Sequence, residues 1–433
     1  MHIAVIGTGY VGLVTGACFA EFGMQVTCVD KDESKISSII SGRMPIYEPG
    51  LEALVAKNVR EGRLEFSTNV RRSVEQSLVV FLAVGTPPTG DGSADMSQID
   101  EVAYEIARAL NGYKVIVTKS TVPVGAASRI KKIISENKAT ASRFSVAANP
   151  EFLREGAAIN DFMRPDRVVI GCKDEEAVEI LKDIYRPLYL IETPFVITTA
   201  ESAEMIKYAS NAFLATKVSF INEIATLCEL LGADVHDVAK GMGMDTRIGS
   251  KFLHPGPGFG GSCFPKDANA LVALGRTVEY DVRIVEAALR VNESQRSSII
   301  GRIKRLLPDL AGKTIAMLGL AFKPDTDDIR ESPSIRIVSD LCASGASVRA
   351  YDPAAMESAR RISLDVDYCE DEYGAARGSD GLVVVTEWNQ FRSLDMDRLK
   401  QLMREPNIID LRNIYEPETM RAAGFRYLGM GRI

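Results

Sequence analysis

The chain has 433 residues, 46% hydrophobic and 25% charged, which is enough for two or three domains with their own cores. Its formal net charge of −7 argues against nucleic-acid binding, which needs a basic excess. No apolar run approaches the roughly 18 residues that a membrane span requires, and the N-terminus enters a strand without room for a signal peptide. Seven cysteines without a CxxC pair, and only three histidines, argue against zinc and disulfides. We therefore expect a cytoplasmic protein without a metal or a membrane partner.

The first part of the chain alternates predicted strands and helices. A strand in "HIAVIGTGYVG" precedes a helix over 11–23, and "QVTCVD" is the next strand. Further strands are predicted at 78–84, 114–121 and 143–150, with a helix near 125–137. Continuous apolar strands separated by helices predict a parallel sheet covered on both faces. We assign this α/β domain to residues 1–197.

The pattern changes at Thr198, where Thr198 and Glu201 have the spacing of a capping box. Apolar residues then recur at helical spacing until Gly232, which predicts one helix of about 30 residues and about 45 Å. So long a helix suggests a spine joining two domains and a subunit interface, so we expect at least a homodimer. More helices are predicted near 234–241, 266–275 and 281–307, which gives a helical domain over 198–308.

Strand and helix alternate again from Gly312 onward, with strands in "KTIAMLGLAF", "SVRAYDP", "DGLVVVT" and "NIIDLR" and a helix over 333–344. Residues 309–433 therefore form a second α/β domain. The predicted fold class is α/β, with two Rossmann-like doubly wound parallel-sheet domains joined by a long central helix.

A glycine motif, "GTGYVG" with Gly7, Gly9 and Gly12, lies between the first strand and its helix. Such glycines permit a tight turn and the approach of a pyrophosphate to the helix N-terminus. Asp30 ends the next strand, where it would accept hydrogen bonds from ribose hydroxyls and repel a 2′-phosphate, which favours NAD over NADP. Lys31 and Lys35 weaken that preference, and a glycine turn without a ligand is the alternative.

Two threonines follow predicted strands at the edge where a ligand crevice is expected. Thr86 lies in "VGTPP" and Thr121 in "KSTVPVG". Either hydroxyl could hydrogen-bond a cofactor or substrate, and either could equally serve its own turn.

Cys263 stands in the glycine-rich stretch "PGFGGSCFPKD" at the predicted start of a helix. A helix N-terminus and a nearby lysine both stabilise a thiolate, and Lys266 and Asp267 follow within four residues. Cys18, Cys28 and Cys228 are predicted to be core thiols. Cys263 differs because its flanking glycines offer little apolar packing.

Two further pairs of polar residues have helical or strand-end spacing. Lys207 and Asn211 are four residues apart on the long helix and share a face, although a lysine there could also extend to water. Glu151 and Glu155 in "NPEFLREG" follow another strand, where a solvated face is the alternative.

Taken together, these segments resemble the UDP-glucose/GDP-mannose dehydrogenase family over nearly the whole chain. The resemblance rests on "GTGYVGLVTG", "VGTPP", "KSTVPVG", "NPEFLREG", "AEMIKYASNAFLATKVSFINE", "GFGGSCFPKD", "LGLAFKPDTDDIRESPS" and "VRAYDP". It implies oxidation of the C6 alcohol of a nucleotide sugar to a carboxylate with two NAD and no metal. The sequence around "RIG" and "FLHPGPGFGG" is similar to that of members that oxidise UDP-glucose to UDP-glucuronate.

The resemblance also implies roles for individual residues. Cys263 matches the nucleophile that carries the thiohemiacetal and thioester, Lys207 and Asn211 match groups that stabilise and orient the reacting oxygen, and Glu151 matches a base for thioester hydrolysis. Asp267 and Thr121 match residues that position water. The implied NAD contacts are Gly7, Gly9, Tyr10, Val11, Gly12, Asp30, Lys35, Thr86, Thr121, Glu155, Lys266 and Arg330. The implied substrate contacts are Glu151, Phe152, Leu153, Lys207, Asn211, Arg247, Phe252, Gly260, Phe264, Lys323 and Arg412, with Arg247 reaching a neighbouring subunit's site.

Three alternatives stay open from the sequence. The same chemistry could act on a UDP-N-acetylhexosamine or GDP-mannose. A two-electron hydroxyacid dehydrogenase would share the domain plan but would need no thiol. A non-catalytic sensor of NAD or nucleotide sugar would not need Lys207, Asn211, Cys263 and Asp267 together. The C-terminal domain has "GLAFKPDT" where a dinucleotide motif would stand, which favours binding of the UDP part there.

Overall fold

The structure is a computed structural model that describes residues 1–432. The chain divides into two compact units, the first comprising residues 1–210 with 276–278 and the second residues 211–275 with 279 onward. Among residues 1–432, none of the helices combines the length and hydropathy that a bilayer-spanning segment requires.

The first unit contains a sheet with the strand order β3-β2-β1-β4-β5-β6-β7-β8. Its first six strands have the Rossmann order 3-2-1-4-5-6 and are parallel, whereas β6 and β7 pair antiparallel. The strands are β1 (His2–Ile6), β2 (Gln25–Val29), β3 (Leu64–Ser67), β4 (Val79–Leu82), β5 (Lys114–Thr118), β6 (Phe144–Ala148), β7 (Val168–Gly171) and β8 (Phe195–Thr198). The helices are α1 (Tyr10–Glu21), α2 (Glu33–Ile40), α3 (Leu51–Arg60), α4 (Val70–Gln76), α5 (Ser97–Ala109), α6 (Ala126–Asn137), α7 (Ala158–Met163) and α8 (Glu175–Ile184).

Both faces of this sheet are buried. In β1, Ile3 and Val5 belong to one core cluster and Ala4 and Ile6 to another. Alternate residues of a strand point to opposite faces, so helices cover both sides of the sheet. The predicted doubly wound sheet is confirmed, and the carboxyl ends of β1 and β4, where the strand order reverses, form its ligand-binding edge.

The long helix α9 (Ala200–Leu231) is confirmed at 32 residues. Its predicted capping residue is wrong, because Thr198 still belongs to β8. Thr199 caps the helix instead, and its Oγ1 accepts a hydrogen bond from the backbone N–H of Ser202 at 3.2 Å. The capping-box spacing points to Thr198 because Glu201 lies three residues beyond it, whereas the actual cap, Thr199, has Ser202 at that distance.

The second unit carries α10 (Val235–Gly243), α11 (Phe264–Thr277, whose last two residues fall in the first unit) and α12 (Arg283–Leu306) before its own sheet. That sheet is wholly parallel in the order β11-β10-β9-β12-β13-β14, which is again the Rossmann order. Its strands are β9 (Thr314–Leu318), β10 (Ser347–Tyr351), β11 (Asp367–Tyr368), β12 (Gly381–Val384), β13 (Asn407–Asp410) and β14 (Arg426–Leu428). The remaining helices are α13 (Pro333–Ala343), α14 (Met356–Arg361), α15 (Glu372–Ala376), α16 (Asn389–Arg392), α17 (Met396–Leu402) and α18 (Pro417–Ala422).

Candidate active site

The glycine turn after β1 has the geometry of a phosphate-binding loop. Gly7 has φ +101°, and a Cβ there would lie 2.6 Å from the carbonyl oxygen of Ala83. A Cβ on Gly12 would lie 1.8 Å from the carbonyl oxygen of Gly7. Gly9, by contrast, has nothing within 4 Å of a Cβ position, and it precedes α1 without a side-chain cap. The backbone N–H groups of this helix N-terminus can therefore bind an anion.

Asp30 follows β2 beside that turn. It accepts hydrogen bonds from the backbone N–H and hydroxyl of Thr8 at 2.9 and 2.8 Å, and from Lys35 Nζ at 2.8 Å. Burial raises the pKa of Asp30, but the bonds from Lys35 and Thr8 outweigh it and lower that pKa to about 2. Asp30 is thus a carboxylate at neutral pH, as a ribose-binding residue requires.

Gly7, Gly9, Asp30 and Lys35 line a cleft of about 800 Å³. A helix N-terminus for the pyrophosphate and a carboxylate for the ribose stand in one cleft, so the residues present fit NAD.

Tyr10 and Val11 begin α1, and the Tyr10 side chain contacts Glu48, a residue that the sequence did not suggest. The Tyr10 hydroxyl donates to the buried carboxylate of Glu48 and accepts from the N–H of Gly156 at 2.7 Å. Glu48 also accepts from the N–H groups of Gly156 and Ala158, each at 2.7 Å. Glu48 therefore fixes the loop that contains Glu155, and no local pattern signals a contact 108 residues away in sequence.

The two strand-end threonines lie together. The Thr86 hydroxyl donates to the backbone carbonyl of Thr121 at 2.8 Å, and Thr86 is buried while Thr121 is partly exposed. This bond joins the loops after β4 and β5. Thr86 thus has a turn-stabilising role, and the Thr121 hydroxyl lies at the carboxyl edge of the sheet.

Lys207 on α9 forms an ion pair with Glu151, the residue that follows β6 by three positions. Lys207 Nζ and Glu151 Oε1 are 2.9 Å apart, and the two side chains are only 4% and 5% exposed. The ring of Phe152 lies 5.5 Å from Lys207 Nζ, and Glu151 accepts from the N–H of Leu153. Neither residue extends to solvent, so the snorkelling and solvated-face alternatives are wrong for both.

In the second unit, Cys263 is the residue immediately before α11. Its carbonyl accepts the first helical hydrogen bond, from the N–H of Asp267 at 2.8 Å. The Cys263 thiol is partly exposed and lies 3.5 Å from the Ser262 hydroxyl. Cys18, Cys28 and Cys228 are buried as predicted. Cys263 therefore differs from those core thiols in both position and accessibility.

Asp267 lies one turn further along α11 and is 1% exposed. Its two carboxylate oxygens accept from Asn211 Nδ2 at 2.6 Å and from Lys266 Nζ at 2.7 Å. Both partners were selected from the sequence, but their convergence on one carboxylate is a finding of the structure. The cluster orients the amide of Asn211 and offers a buried negative charge.

The glycines around Cys263 serve packing against the chain itself. A Cβ on Gly260 would lie 2.2 Å from the carbonyl oxygen of Glu331, and one on Gly261 would lie 2.7 Å from the ring of Phe322. The N–H of Gly261 also donates to the carbonyl of Arg330 at 2.9 Å. Close approach was expected here, and the backbone that approaches is that of residues 330–331.

The other predicted contact residues of the second unit interact with residues of the same unit. Arg412 donates to the carbonyls of Val385 and Phe322 at 2.8 and 3.0 Å, so its guanidinium already binds protein oxygens. The ring centroids of Phe252 and Phe264 are 6.0 Å apart, and Lys323 Nζ lies 5.5 Å from the Phe322 ring. Arg247 and Arg330 are exposed and pair with Asp245 and Asp328.

The turn after β9 in the second sheet resembles the glycine turn after β1, but its backbone N–H groups are bound differently. Gly319 has φ +100° and a Cβ there would lie 2.6 Å from the backbone nitrogen of Thr386, as Gly7 approaches Ala83. However, the N–H groups of Leu320 and Ala321 donate to the buried Asp352 carboxylate at 2.7 and 3.0 Å. These donors are engaged within the protein, in agreement with the missing glycine motif.

The first sheet, its open glycine turn and Asp30 define a dinucleotide-binding α/β protein of the Rossmann type. Comparison with known families narrows this class. Residues 1–189 match the NAD binding domain of the UDP-glucose/GDP-mannose dehydrogenase family, 201–294 its central domain and 316–417 its UDP binding domain. The chain belongs to the UDP-glucose/GDP-mannose dehydrogenase family. The resemblance inferred from the sequence and the prediction of NAD as cofactor are thereby confirmed.

Similar proteins extend over the full chain. UDP-glucose 6-dehydrogenase of Rhizobium meliloti (strain 1021) is 54% identical over 437 residues, covering 100% of both chains. A UDP-glucose 6-dehydrogenase of Pseudomonas aeruginosa is 44% identical, covering 100% of this chain and 98% of that protein. The solved UDP-glucose dehydrogenase of Pyrobaculum islandicum is 38% identical with a TM-score of 0.92, covering 100% and 98%.

Proposed function

We propose that this chain catalyses the NAD-dependent four-electron oxidation of UDP-glucose to UDP-glucuronate. The observation that carries the proposal is Cys263, a partly exposed thiol at the start of α11 beside the Asn211–Asp267–Lys266 cluster. Hydride transfer alone needs no thiol, whereas oxidation of an aldehyde to an acid gains from covalent capture. Similarity over the full chain to UDP-glucose 6-dehydrogenases at 54% and 44% identity supports the choice of sugar.

In the proposed reaction, the glycine turn and Asp30 would hold NAD, which would supply a hydride acceptor for each of the two oxidations. Lys207, held by Glu151 at 2.9 Å, supplies positive charge for the C6 oxygen, first as it loses its proton and later when it becomes a tetrahedral oxyanion. Asn211 orients the same oxygen through its amide, which Asp267 fixes. The sugar loses two hydrides and gains one water oxygen, so two NADH form for each carboxylate.

Cys263 is the proposed nucleophile for the second oxidation. Its thiolate adds to the C6 aldehyde to give a thiohemiacetal, and loss of the second hydride gives a thioester. The position before the first turn of α11 favours the thiolate, because a helix N-terminus stabilises negative charge. Thr121 and Asp267 position the water that cleaves the thioester, and Glu151 accepts its proton.

The remaining predicted residues have binding roles in this proposal. The proposed NAD contacts are Gly7, Gly9, Tyr10, Val11, Gly12, Asp30, Lys35, Thr86, Thr121, Glu155, Lys266 and Arg330. The proposed further contacts of the sugar nucleotide are Phe152, Leu153, Phe252, Gly260, Phe264, Lys323 and Arg412. The proposed domains are 1–197, 198–308 and 309–433, each of which contains one of the three matched family domains. The proposed compartment is the reducing cytoplasm.

The test is the number of NADH formed for each UDP-glucose consumed, measured at completion for the wild type and for Cys263→Ser. Two NADH in the wild type, with loss of free acid in the variant, is the expected result. One NADH for each sugar, or a variant as fast as the wild type, would contradict the thioester route. UDP-N-acetylglucosamine and GDP-mannose, assayed in parallel, test the choice of sugar.

We also propose that two copies of the chain associate through α9. Four large apolar side chains on the second-unit part of this helix, Phe213, Phe220, Leu227 and Leu231, are between 45% and 79% exposed. Their spacing of seven, seven and four residues places them along one helix face, and an exposed apolar stripe is typical of a protein interface. Arg247 would then reach the site of the neighbouring subunit.

Light scattering tests the association. Phe220→Glu should produce a monomer where the wild type has at least twice the mass of the chain. Leu190→Glu, an exposed apolar residue outside α9 that is 88% exposed, should leave the mass unchanged. A wild-type monomer would contradict the proposal.

A further inference from the structure

A buried lysine beside the Glu151–Lys207 pair has no role in the reaction described above. Lys119 follows β5 and is only 5% exposed. Its Nζ donates to Asn149 Oδ1 and to the Tyr185 hydroxyl, each at 3.0 Å. Both partners are uncharged, although burial of an ammonium group without a hydrogen-bonded carboxylate is costly. A costly buried charge near a reaction centre indicates a function.

The hydrogen bonds of Lys119 converge on Asn149, two residues before Glu151. Asn149 Oδ1 also accepts from the Tyr185 hydroxyl at 2.6 Å, and its Nδ2 donates to the carbonyl of Val169 at 2.7 Å. The backbone N–H of Asn149 donates to the carbonyl of Thr118 at 2.9 Å. The network thereby ties the start of the Glu151 loop to β5, β7 and the residue after α8.

Lys119 is also an electrostatic neighbour of both members of the pair, Glu151 and Lys207. The Glu151 carboxylate is thus acted on by two cationic side chains, Lys207 in direct contact and Lys119 at longer range. A nearby positive charge favours the ionised form of a carboxylate, and a base for thioester hydrolysis must be ionised to accept a proton.

We infer that Lys119 is a positioning residue for Glu151, which fixes the Glu151 loop through Asn149 and keeps the Glu151 carboxylate ionised. This inference rests on the proposed function, because Glu151 serves as the base only in that reaction. Lys119 contacts no reacting atom in this scheme and acts through Glu151 alone.

Lys119 carries its positive charge below pH 7, where that charge can act on the Glu151 carboxylate. Burial lowers the pKa of Lys119 to about 7, with Glu151 raising it and Lys207 lowering it further. The titratable groups around it are Glu151, Lys207 and Tyr185, and the rings of Phe162 and Tyr185 lie 5.8 and 5.6 Å from Nζ. Below pH 7 Lys119 is therefore an ammonium, and its positive charge acts on the Glu151 carboxylate in that range.

The experiment compares the pH dependence of kcat for the wild type, Lys119→Met and Lys114→Met, all with saturating NAD and UDP-glucose. Lys114 is the matched control, because it is a buried lysine at the other end of β5 that donates to the carbonyl of Ser77 at 2.7 Å. In Lys119→Met the acid limb of kcat should move to higher pH by at least about 0.5 unit. At pH 6.5 kcat should fall at least about threefold with KM for NAD within twofold, and Lys114→Met should keep the wild-type limb.

A Lys119→Met enzyme with the wild-type acid limb would overturn the inference, as would an equal displacement in Lys114→Met. If Lys119→Met does not fold, Lys119→Gln replaces it, because glutamine keeps a donor for Asn149 but carries no charge. Failure of the wild type to form NADH from UDP-glucose would contradict the proposed function instead, so the two failures are distinguishable.

Discussion

Lys207 Nζ and Glu151 Oε1 form an ion pair of 2.9 Å between a helix and a strand-end loop, with both side chains almost entirely buried. Removal of one member of such a pair leaves an uncompensated charge in the interior, which costs about 3–5 kcal/mol. Replacement of both members by apolar residues of similar size often costs little. Stability and activity can therefore be separated at this pair.

We expect Lys207→Met to lower the free energy of unfolding by about 3–5 kcal/mol and to abolish NADH formation. The double variant Lys207→Met/Glu151→Leu should recover most of the stability and none of the activity. Urea unfolding curves and a single-turnover assay measure the two effects. A single variant as stable as the wild type would show that the pair carries little desolvation cost.

Asp30→Ala should weaken NAD binding by about 10- to 100-fold, because one bidentate acceptor for ribose hydroxyls is lost. Isothermal titration with NAD measures this, and Glu33→Gln, an exposed acidic residue on the next helix, is the control. Since the pKa of Asp30 is lowered to about 2, wild-type NAD affinity should not fall through protonation of Asp30 above about pH 4. Unchanged NAD affinity in Asp30→Ala would contradict the assigned role.

Glu204 predicts a pH dependence of stability. Its carboxylate accepts from the N–H groups of Gly125 and Ala127 at 2.7 and 2.8 Å at the start of α6. Burial raises the pKa of Glu204 to about 7, although these backbone bonds lower it in part. A carboxyl whose pKa is higher in the folded state than in the unfolded state stabilises the fold below about pH 4.5, and this contribution is lost as the pH rises through 7.

Between pH 5 and 8 the wild type should therefore lose about 2–3 kcal/mol of stability relative to Glu204→Gln, which cannot titrate. Thermal unfolding midpoints across this range measure the difference. Glu201→Gln, an exposed change on the same helix, should follow the wild type. Parallel curves for the wild type and Glu204→Gln would mean that Glu204 is already ionised at pH 5.

Gly260→Ala should lower the free energy of unfolding of the second unit by about 2–4 kcal/mol, because its Cβ would meet the backbone oxygen of Glu331 at 2.2 Å. Gly241→Ala is the matched control, since Gly241 lies in α10 with nothing within 4 Å of a Cβ. Alanine should stabilise that helix by up to about 1 kcal/mol. Hydrogen exchange of the amides in 257–262 and 330–332 reports the local effect, and equal protection in both variants would contradict it.

The fold and the dinucleotide turn could be predicted from the sequence because their signals are local. The positions of Gly7, Gly9 and Gly12 follow from one short motif, and the apolar strands follow from continuous runs. The contacts of the candidate site are long-range. Lys207 and Glu151 are 56 residues apart, so the sequence could suggest each of them but not their ion pair.

Glu48 and Lys119 were not predicted for the same reason. Glu48 binds the loop at 156–158 from a segment without regular structure, and Lys119 meets Tyr185 across 66 residues. Glu48 has no periodicity or motif of its own. Lys119 begins "KSTVPVG", but that motif gives no sign of its contact with Tyr185. The glycines around Cys263 show the opposite case, in which the pattern was recognised but the approaching group, the backbone of Glu331, could be identified only from the structure.

The first six strands of the first sheet and the six strands of the second have the same order, so the chain contains two glycine turns at equivalent positions, one after β1 and one after β9. Asp352 makes the two turns unequal, because it accepts the N–H groups of both Leu320 and Ala321. At the first turn, Asp30 accepts the backbone N–H of Thr8, and Gly9 precedes α1 without a side-chain cap. A titration with NAD should accordingly saturate at one molecule per polypeptide. At the second turn, two backbone donors are therefore already bound by the protein's own carboxylate. An engineer seeking a variant that binds two coenzymes would have to remove Asp352 first.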